Sequence, residues 1–252
     1  MTPVAVVLAR GLGTRMRASG AALDDAAAKV ADSGVKALIP DAQGRPFLDY
    51  VLSDLADAGC REAVLVIGPE HDALREAYTG RCKRIAVSFA IQSRPLGTAD
   101  ALAAAGDAVA GRDCILVNSD NRYPVAAIAG LVRLTGPGLV GFRRSGLLRG
   151  NIDAGRVAKF AAISLNGDGT LARIVEKPDP ATLAALGADP LLSMNCWRFD
   201  AGIFATCRAV SPSPRGELEL PDAVTLSMRA GTRYVVVESR EAVLDLSSRD
   251  DV

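Results

Sequence analysis

The sequence holds a single histidine, His71, among 252 residues. One imidazole cannot supply a histidine-rich zinc site, and it argues against Ser-His-Asp chemistry. We expect His71 at the surface. The five cysteines are odd in number and none of them shows CxxC spacing. Cys60, Cys82, Cys114, Cys196 and Cys207 sit mostly in apolar stretches. They read as reduced, buried thiols of a cytoplasmic protein, not as a disulfide framework. Net charge is absent as well: 29 basic residues balance 29 acidic ones. That removes any bulk drive toward nucleic acid or an anionic membrane, so neither is expected as a partner. No apolar run approaches the ~20 residues of a membrane span. Lysine is scarce beside arginine, which reads as compositional bias. The phosphate-binding patterns GxxxxGK[ST] and GxGxxG are both missing.

What is present is ordinary globular composition, 49% hydrophobic and 23% charged. Apolar runs of strand length alternate with amphipathic helical stretches. Val4–Ala9 reads as a buried first strand leading into a Gly-rich turn, not as a signal peptide. Helical spacing follows over Pro46–Ala58, Asp72–Tyr78, Thr98–Val109 and Val125–Leu134. Strands are predicted at Ala63–Ile67, Ile85–Ile91, Cys114–Val117 and Gly138–Phe142. Fully apolar strands alternating with helices indicate a mostly parallel sheet covered on both faces. The second half is less regular. Asn166-Gly167-Asp168-Gly169 is a hairpin signal between Val157–Leu165 and Thr170–Glu176. Leu191–Phe199 reads as one strand, Leu218–Arg229 as a helix and Tyr234–Glu238 as a last strand. The expectation is a Rossmann-like three-layer α/β/α fold in one domain over residues 1–252, with a small additional strand layer.

In such sheets ligands lie at the carboxyl ends of the strands, and polar residues cluster there. Gly11-Leu12-Gly13-Thr14-Arg15 follows the first strand. Two glycines let backbone amides approach a phosphate, Thr14 can donate a hydrogen bond, and Arg15 adds a forked cation. Asp120 ends a later strand, where it would serve either as a helix cap or as a metal ligand. Asp245, between Leu244 and Leu246, would be an exposed edge residue. Gln92 can satisfy the N3–H and a carbonyl of a uracil or thymine edge. Gly141 would contact a ligand or serve packing, and Trp197 reads as core.

Together these segments resemble the sugar-1-phosphate nucleotidyltransferases, among them the glucose-1-phosphate thymidylyltransferases and uridylyltransferases. Leu8-Ala9-Arg10-Gly11-Leu12-Gly13-Thr14-Arg15-Met16 resembles the family signature. Val35-Lys36-Ala37-Leu38-Ile39-Pro40, Gly44-Arg45-Pro46-Phe47-Leu48, Gln92 to Ala99, Val175-Glu176-Lys177-Pro178 and Arg215 to Asp222 follow in the family's order. The resemblance implies the nucleotidyltransferase fold, with a nucleotide-binding half at about 1–135 and a sugar-binding half at about 136–252. It implies a nucleoside triphosphate held by Leu8, Ala9, Gly11, Gly13, Thr14, Arg15, Gln92, Gly97 and Thr98. It implies a sugar-1-phosphate held by Gly141, Glu176, Lys177 and Asn195. Arg15, Lys36, Asp120, Lys177 and Asp245 would carry catalysis, with Mg²⁺ on Asp120 and Asp245.

Three departures stand out. Arg10 replaces a small residue of the family signature, the stretch from Met16 to Val35 is long, and Ser247-Ser248 replaces Gly-Thr after Asp245. The alternatives are a cytidylyltransferase acting on phosphocholine or another alcohol phosphate, and a non-catalytic nucleotide or sugar sensor. A glycosyltransferase is less suited, since Asn118-Ser119-Asp120 carries one acid where an Asp-x-Asp would carry two. The sequence fixes no oligomeric state; a homo-oligomer is compatible with it.

Overall fold

The computed structural model describes residues 2–11, 35–247 and 251. Four strands form the first half of the main sheet: β1 (Val4–Leu8), β2 (Glu62–Ile67), β3 (Ala86–Ile91) and β4 (Cys114–Asn118). They pair in parallel in the order β3-β2-β1-β4. β1 and β4 are apolar along nearly their whole length because both faces are covered. Helix α1 (Phe47–Asp57) packs on one face through Leu48, Val51, Leu52 and Leu55. Pro46 precedes it, and its fixed φ suits a helix entry. Helices α2 (Asp72–Tyr78), α3 (Thr98–Ala104) and α4 (Val125–Arg133) complete this half. The helix expected over Thr98–Val109 is two, because Ala105 ends α3 before a short turn of helix at Gly106–Val109.

The second half continues the same sheet. The short β5 (Asn121–Arg122) is followed by β6 (Gly138–Arg143), β7 (Ala161–Leu165), β8 (Leu171–Val175), β9 (Leu191–Ser193) and β10 (Trp197–Phe199). β10 lies antiparallel between β4 and β6, and so joins the two halves. β9 pairs with the far end of β6 and with β7, and β7 pairs with β8 across the Asn166–Gly169 turn. The extra strands expected beside the sheet therefore extend it. Among the described residues the one separate ribbon is two-stranded, β12 (Leu244–Asp245) against β5. Helices α5 (Ile203–Ala209) and α6 (Leu220–Arg229) cover the face opposite α1, and β11 (Val235–Ser239) pairs in parallel with β6.

Two further expectations need correcting. The strand predicted over Leu191–Phe199 is broken, because Asn195 takes a left-handed φ of 58° between β9 and β10. The strand predicted from Val157 starts only at Ala161, since Ala154–Val157 is a short helix capped by the Asp153 carboxylate. The thiols are as expected: Cys60, Cys114, Cys196 and Cys207 are buried, Cys82 half-buried, and none is bridged. Burial pushes the Cys60 thiol up to about 11 and that of Cys207 to about 12. They are inert core residues.

Candidate active site

The carboxyl ends of the parallel strands open onto two adjoining cavities. The first, of about 320 Å³, is lined by the end of β1 (Leu8, Ala9, Arg10, Gly11), by Lys36 and by Gln92, Gly97 and Thr98. The second, of about 460 Å³, is lined by Arg156, Lys159, Glu176, Lys177, Ser193 and Asp245. Both include Asn118, Asp120 and Asn195. A ligand in each would meet its neighbour at Asp120. Sequence-predicted residues from both groups thus converge: Leu8, Ala9, Gly11, Gln92, Gly97 and Thr98, assigned to the nucleotide, border the first cavity, and Glu176, Lys177 and Asn195, assigned to the sugar, border the second. Gly13, Thr14 and Arg15 lie outside the described residues. Gly141 is brought to neither cavity. A Cβ there would meet Val236 at 2.9 Å and Ile163 at 3.0 Å, so its role is packing.

Asp120 follows β4 and is 28% exposed. Lys36 donates to its Oδ2 at 3.2 Å. Burial raises the Asp120 carboxyl above its usual range; Lys36 opposes this and the nearby Asp245 adds to it. Asp245 reaches the same place through the β5–β12 ribbon. It pairs with Asn121, and the Leu246 amide donates to the Asp120 carbonyl at 2.8 Å. The Asn151 side chain acts as a further strand partner, bonding both the N–H and the C=O of Asp245 at 2.9 and 2.8 Å. Asn121 Nδ2 donates to Asp245 Oδ1 at 2.7 Å, and the Ser247 hydroxyl to Oδ2 at 2.7 Å. Arg156 also donates to Oδ2. Asp245 is therefore held from several sides, and Ser247, at a position where the resembled family has glycine, contributes its hydroxyl.

The two acids suit a hard cation. Among the described residues no three acidic, histidine or cysteine side chains form a metal cluster. Both carboxylates line the second cavity, and Mg²⁺, which keeps waters and binds jointly with phosphates, suits them better than a metal that needs an all-protein cage; it would take the place of Lys36 on Asp120 and of Arg156 on Asp245.

Among the described residues, two of the three non-glycine residues with positive φ line the second cavity: Lys177 at 44° and Asn195 at 58°. Such conformations are uncommon outside glycine and collect where a side chain must be aimed. Burial raises the Glu176 carboxyl, and Glu219 nearby raises it further. Glu219 sits at the start of α6 without capping it by its side chain, and pairs with Arg215 at 2.9 Å instead. The cap comes from Thr98, whose hydroxyl accepts the Leu220 N–H at 2.9 Å. Gly97, at φ 125°, lets the chain pass so close that a Cβ would lie 2.5 Å from the Leu218 carbonyl.

Sequence reasoning left Arg10 open and misplaced His71. Arg10 forks onto both Glu70 oxygens, at 3.1 and 3.2 Å, and donates to the Gln92 carbonyl. His71 is buried, not at the surface: its Nδ1 accepts the Gly68 N–H at 3.3 Å. Burial lowers its basicity, against the pull of Glu70. Arg156, Asn151 and Asn121 were missed altogether. They lie outside the resembled segments, and only the folded ribbon brings them to Asp245.

A family model described as nucleotidyl transferase matches residues 4–246. The chain belongs to the nucleotidyl transferase family. It is similar to the UTP–glucose-1-phosphate uridylyltransferase AglF of Haloferax volcanii, 25% identical over 98% of this chain and 92% of that protein. It is 30% identical to a glucose-1-phosphate thymidylyltransferase of Streptomyces antibioticus, over 87% of this chain and 56% of that one. The chain spans about half the length of several other curated relatives, such as the bifunctional protein GlmU of Pelotomaculum thermopropionicum, at 46%. The crystal structure of a UDP-glucose pyrophosphorylase complexed with UDP-glucose superposes with a TM-score of 0.77, covering 100% of this chain and 95% of that one at 15% identity. That likeness establishes the nucleotidyltransferase fold. No helix among the described residues is long and apolar enough to cross a membrane.

Proposed function

We propose that this nucleotidyltransferase joins a nucleoside triphosphate to a sugar-1-phosphate, releasing pyrophosphate and forming a nucleoside-diphosphate sugar. The observation that carries the reading is the sharing of Asp120, Asn118 and Asn195 by the two cavities. Two anionic substrates entering from opposite sides would place their phosphates at one carboxylate. UTP and dTTP are the favoured triphosphates, since Gln92 borders the first cavity, and glucose-1-phosphate is the acceptor that the relatives' names suggest.

In the reaction a phosphate oxygen of the sugar-1-phosphate attacks the α-phosphorus in line. The bond from that phosphorus to the bridging oxygen breaks, and pyrophosphate leaves with the electron pair. The attacking phosphate is already an anion and needs no strong base, in keeping with a site without an accessible histidine. The work left to the protein is positioning and charge neutralisation. The β1 loop, with Gly11 and the predicted Arg15, would hold the triphosphate tail. Lys177 would face the sugar phosphate, and Glu176 would accept from sugar hydroxyls. Lys36 would move its charge between Asp120 and the α-phosphate. Asp120 and Asp245 would hold Mg²⁺, which when bound supplies charge neutralisation to both reacting phosphates. An allied role for this chain as a cytidylyltransferase or as a sensor is decided by the same experiment.

Pyrophosphate release is measured with Mg²⁺ over UTP, dTTP, CTP and GTP crossed with several sugar-1-phosphates and with phosphocholine. The expected result is release that requires both substrates and falls at least ~10³-fold in Asp120→Ala. Release with phosphocholine alone would make the protein a cytidylyltransferase of that kind. Triphosphate binding without turnover on any acceptor would make it a sensor. No triphosphate binding at all would overturn the reading.

A further inference from the structure

Gln92 is almost fully buried, at 4% exposure, yet borders the first cavity. Its position is set from both ends. The backbone N–H donates to the Ile67 carbonyl at 2.9 Å, and the backbone carbonyl accepts from Arg10, itself forked onto Glu70. The side-chain amide is held as well: Nε2 donates to the Gly97 carbonyl at 3.1 Å and to Asp100 Oδ2 at 2.8 Å. Both of those partners can only accept. The orientation of the amide, which is often ambiguous between its nitrogen and oxygen, is therefore dictated by its surroundings. If the group turned over, oxygen would face two acceptors. With both Nε2 protons spent, the group left for a ligand is Oε1. It has no bonded partner among the described residues and is not sealed from solvent.

A fixed acceptor discriminates between bases by the ring atom it faces. Uracil and thymine carry a proton on N3, whereas cytosine has a bare N3 lone pair. An Oε1 facing that position accepts from the first two and repels the third. The bond from Asp100 is the charged and shorter of the two that hold the amide, and charge-assisted hydrogen bonds are the stronger kind. We infer that Asp100 is a specificity-determining positioning residue, which turns Gln92 into an obligate acceptor and so selects a base with a ring N–H. Asp100 touches no substrate; it acts through Gln92. This inference rests on the reading of the first cavity as the nucleotide site.

A competing role exists on the page. Asp100 lies in the first turn of α3, where a carboxylate is favourable to the helix dipole whatever Gln92 does. The two roles respond differently to substitution. Asp100→Asn loses the charge but keeps an acceptor at the same place. Asp100→Ala loses both. Equilibrium binding of UTP and CTP to the full-length protein is measured for wild type and both variants, with thermal melting of each. The selectivity role predicts that wild type prefers UTP, that Asn retains most of that preference, and that Ala loses about tenfold of it. Melting temperatures would fall alike in the two variants. Equal UTP-to-CTP ratios in all three proteins would overturn the inference while leaving the nucleotide site standing. Failure of wild type to bind either triphosphate would overturn the nucleotide reading, and the inference with it. Should Asp100→Ala fail to fold, Asp100→Ser provides a shorter side chain that cannot reach Gln92, and the same loss of preference is expected.

Discussion

At the scale of single residues, the site stores unfavourable arrangements of the kind that collect where a ligand is bound. Glu176 is the plainest. Burial raises its carboxyl, and Glu219 adds to the shift. A group whose pKa is raised on folding binds its proton more tightly in the folded state. Its contribution to stability is full below the ordinary carboxylate range and is lost as pH rises through the folded value. At neutral pH the native protein thus bears the cost of a half-buried charge. Glu176→Gln removes it. The variant is expected to melt higher than wild type at pH 7, by roughly 1–3 °C, with the gap closing toward pH 4. The same change should raise the KM for the sugar-1-phosphate, since a carboxylate that accepts from hydroxyls becomes an amide. Melting curves across pH and steady-state kinetics together check this, and an unchanged melting temperature at pH 7 would contradict it. Asp120, Lys177 and Glu176 were legible in the sequence because their neighbours form recognisable runs. Arg10, His71 and Asp100 were not: each takes its place from a partner far along the chain or on the next turn, and no local pattern announces a hydrogen bond to Glu70, Gly68 or Gln92.

At the scale of elements, two segments that read as separate motifs are one unit in the fold. The Leu96 carbonyl accepts the Leu218 N–H at 2.7 Å, and the Leu218 carbonyl accepts the Ala99 N–H at 2.9 Å. Thr98 caps α6 from the other side of this contact. The crossing is possible only because residue 97 has no side chain and can adopt a φ of 125°. Gly97→Ala should therefore push the 215–220 segment off the first cavity. A destabilisation of about 2–4 kcal/mol is expected, from strain at positive φ added to the steric conflict. Triphosphate affinity should fall with it. The informative comparison is Gly11→Ala, where an added Cβ meets nothing within 4 Å among the described residues; it should leave stability near wild type, and equal melting temperatures for the two variants would refute the crossing argument. Elements built on continuous apolar runs, β1, β2 and β4, were legible from periodicity. The β5–β12 ribbon was not. Two residues on each side are too few to leave a pattern, and Asn151 completes the pairing from a third segment.

At the scale of the molecule, the alternation of strands and helices gave away the parallel half, but not how the second half would attach to it. The attachment is β10. Trp197 pairs with Leu116 of β4 on one side and Leu139 of β6 on the other. Its ring stacks on Phe199 at 5.5 Å and meets Tyr234 edge-on at 5.9 Å. Next to it Arg198 donates to the Leu131 and Val132 carbonyls at the end of α4 and to Asp113 just before β4. A seam tied by a shared strand, an aromatic cluster and a buried guanidinium should not open alone. Urea unfolding followed by Trp197 fluorescence and by far-ultraviolet circular dichroism should therefore give coincident, single transitions. Fluorescence reports the seam, because Trp197 is the only tryptophan, whereas dichroism reports every helix and strand. Trp197→Ala should lower stability by about 3–5 kcal/mol without splitting the dichroism transition. The coupling has a functional reading. If the halves unfold as one, a triphosphate at about 100 times its Kd should stabilise the whole transition by about 2.7 kcal/mol, including the half that would bind only the sugar. If fluorescence changes before dichroism, the seam opens first. The two cavities would then be joined by an interface that can loosen, and Asp120 would meet its two substrates across a moving boundary instead of within one rigid sheet.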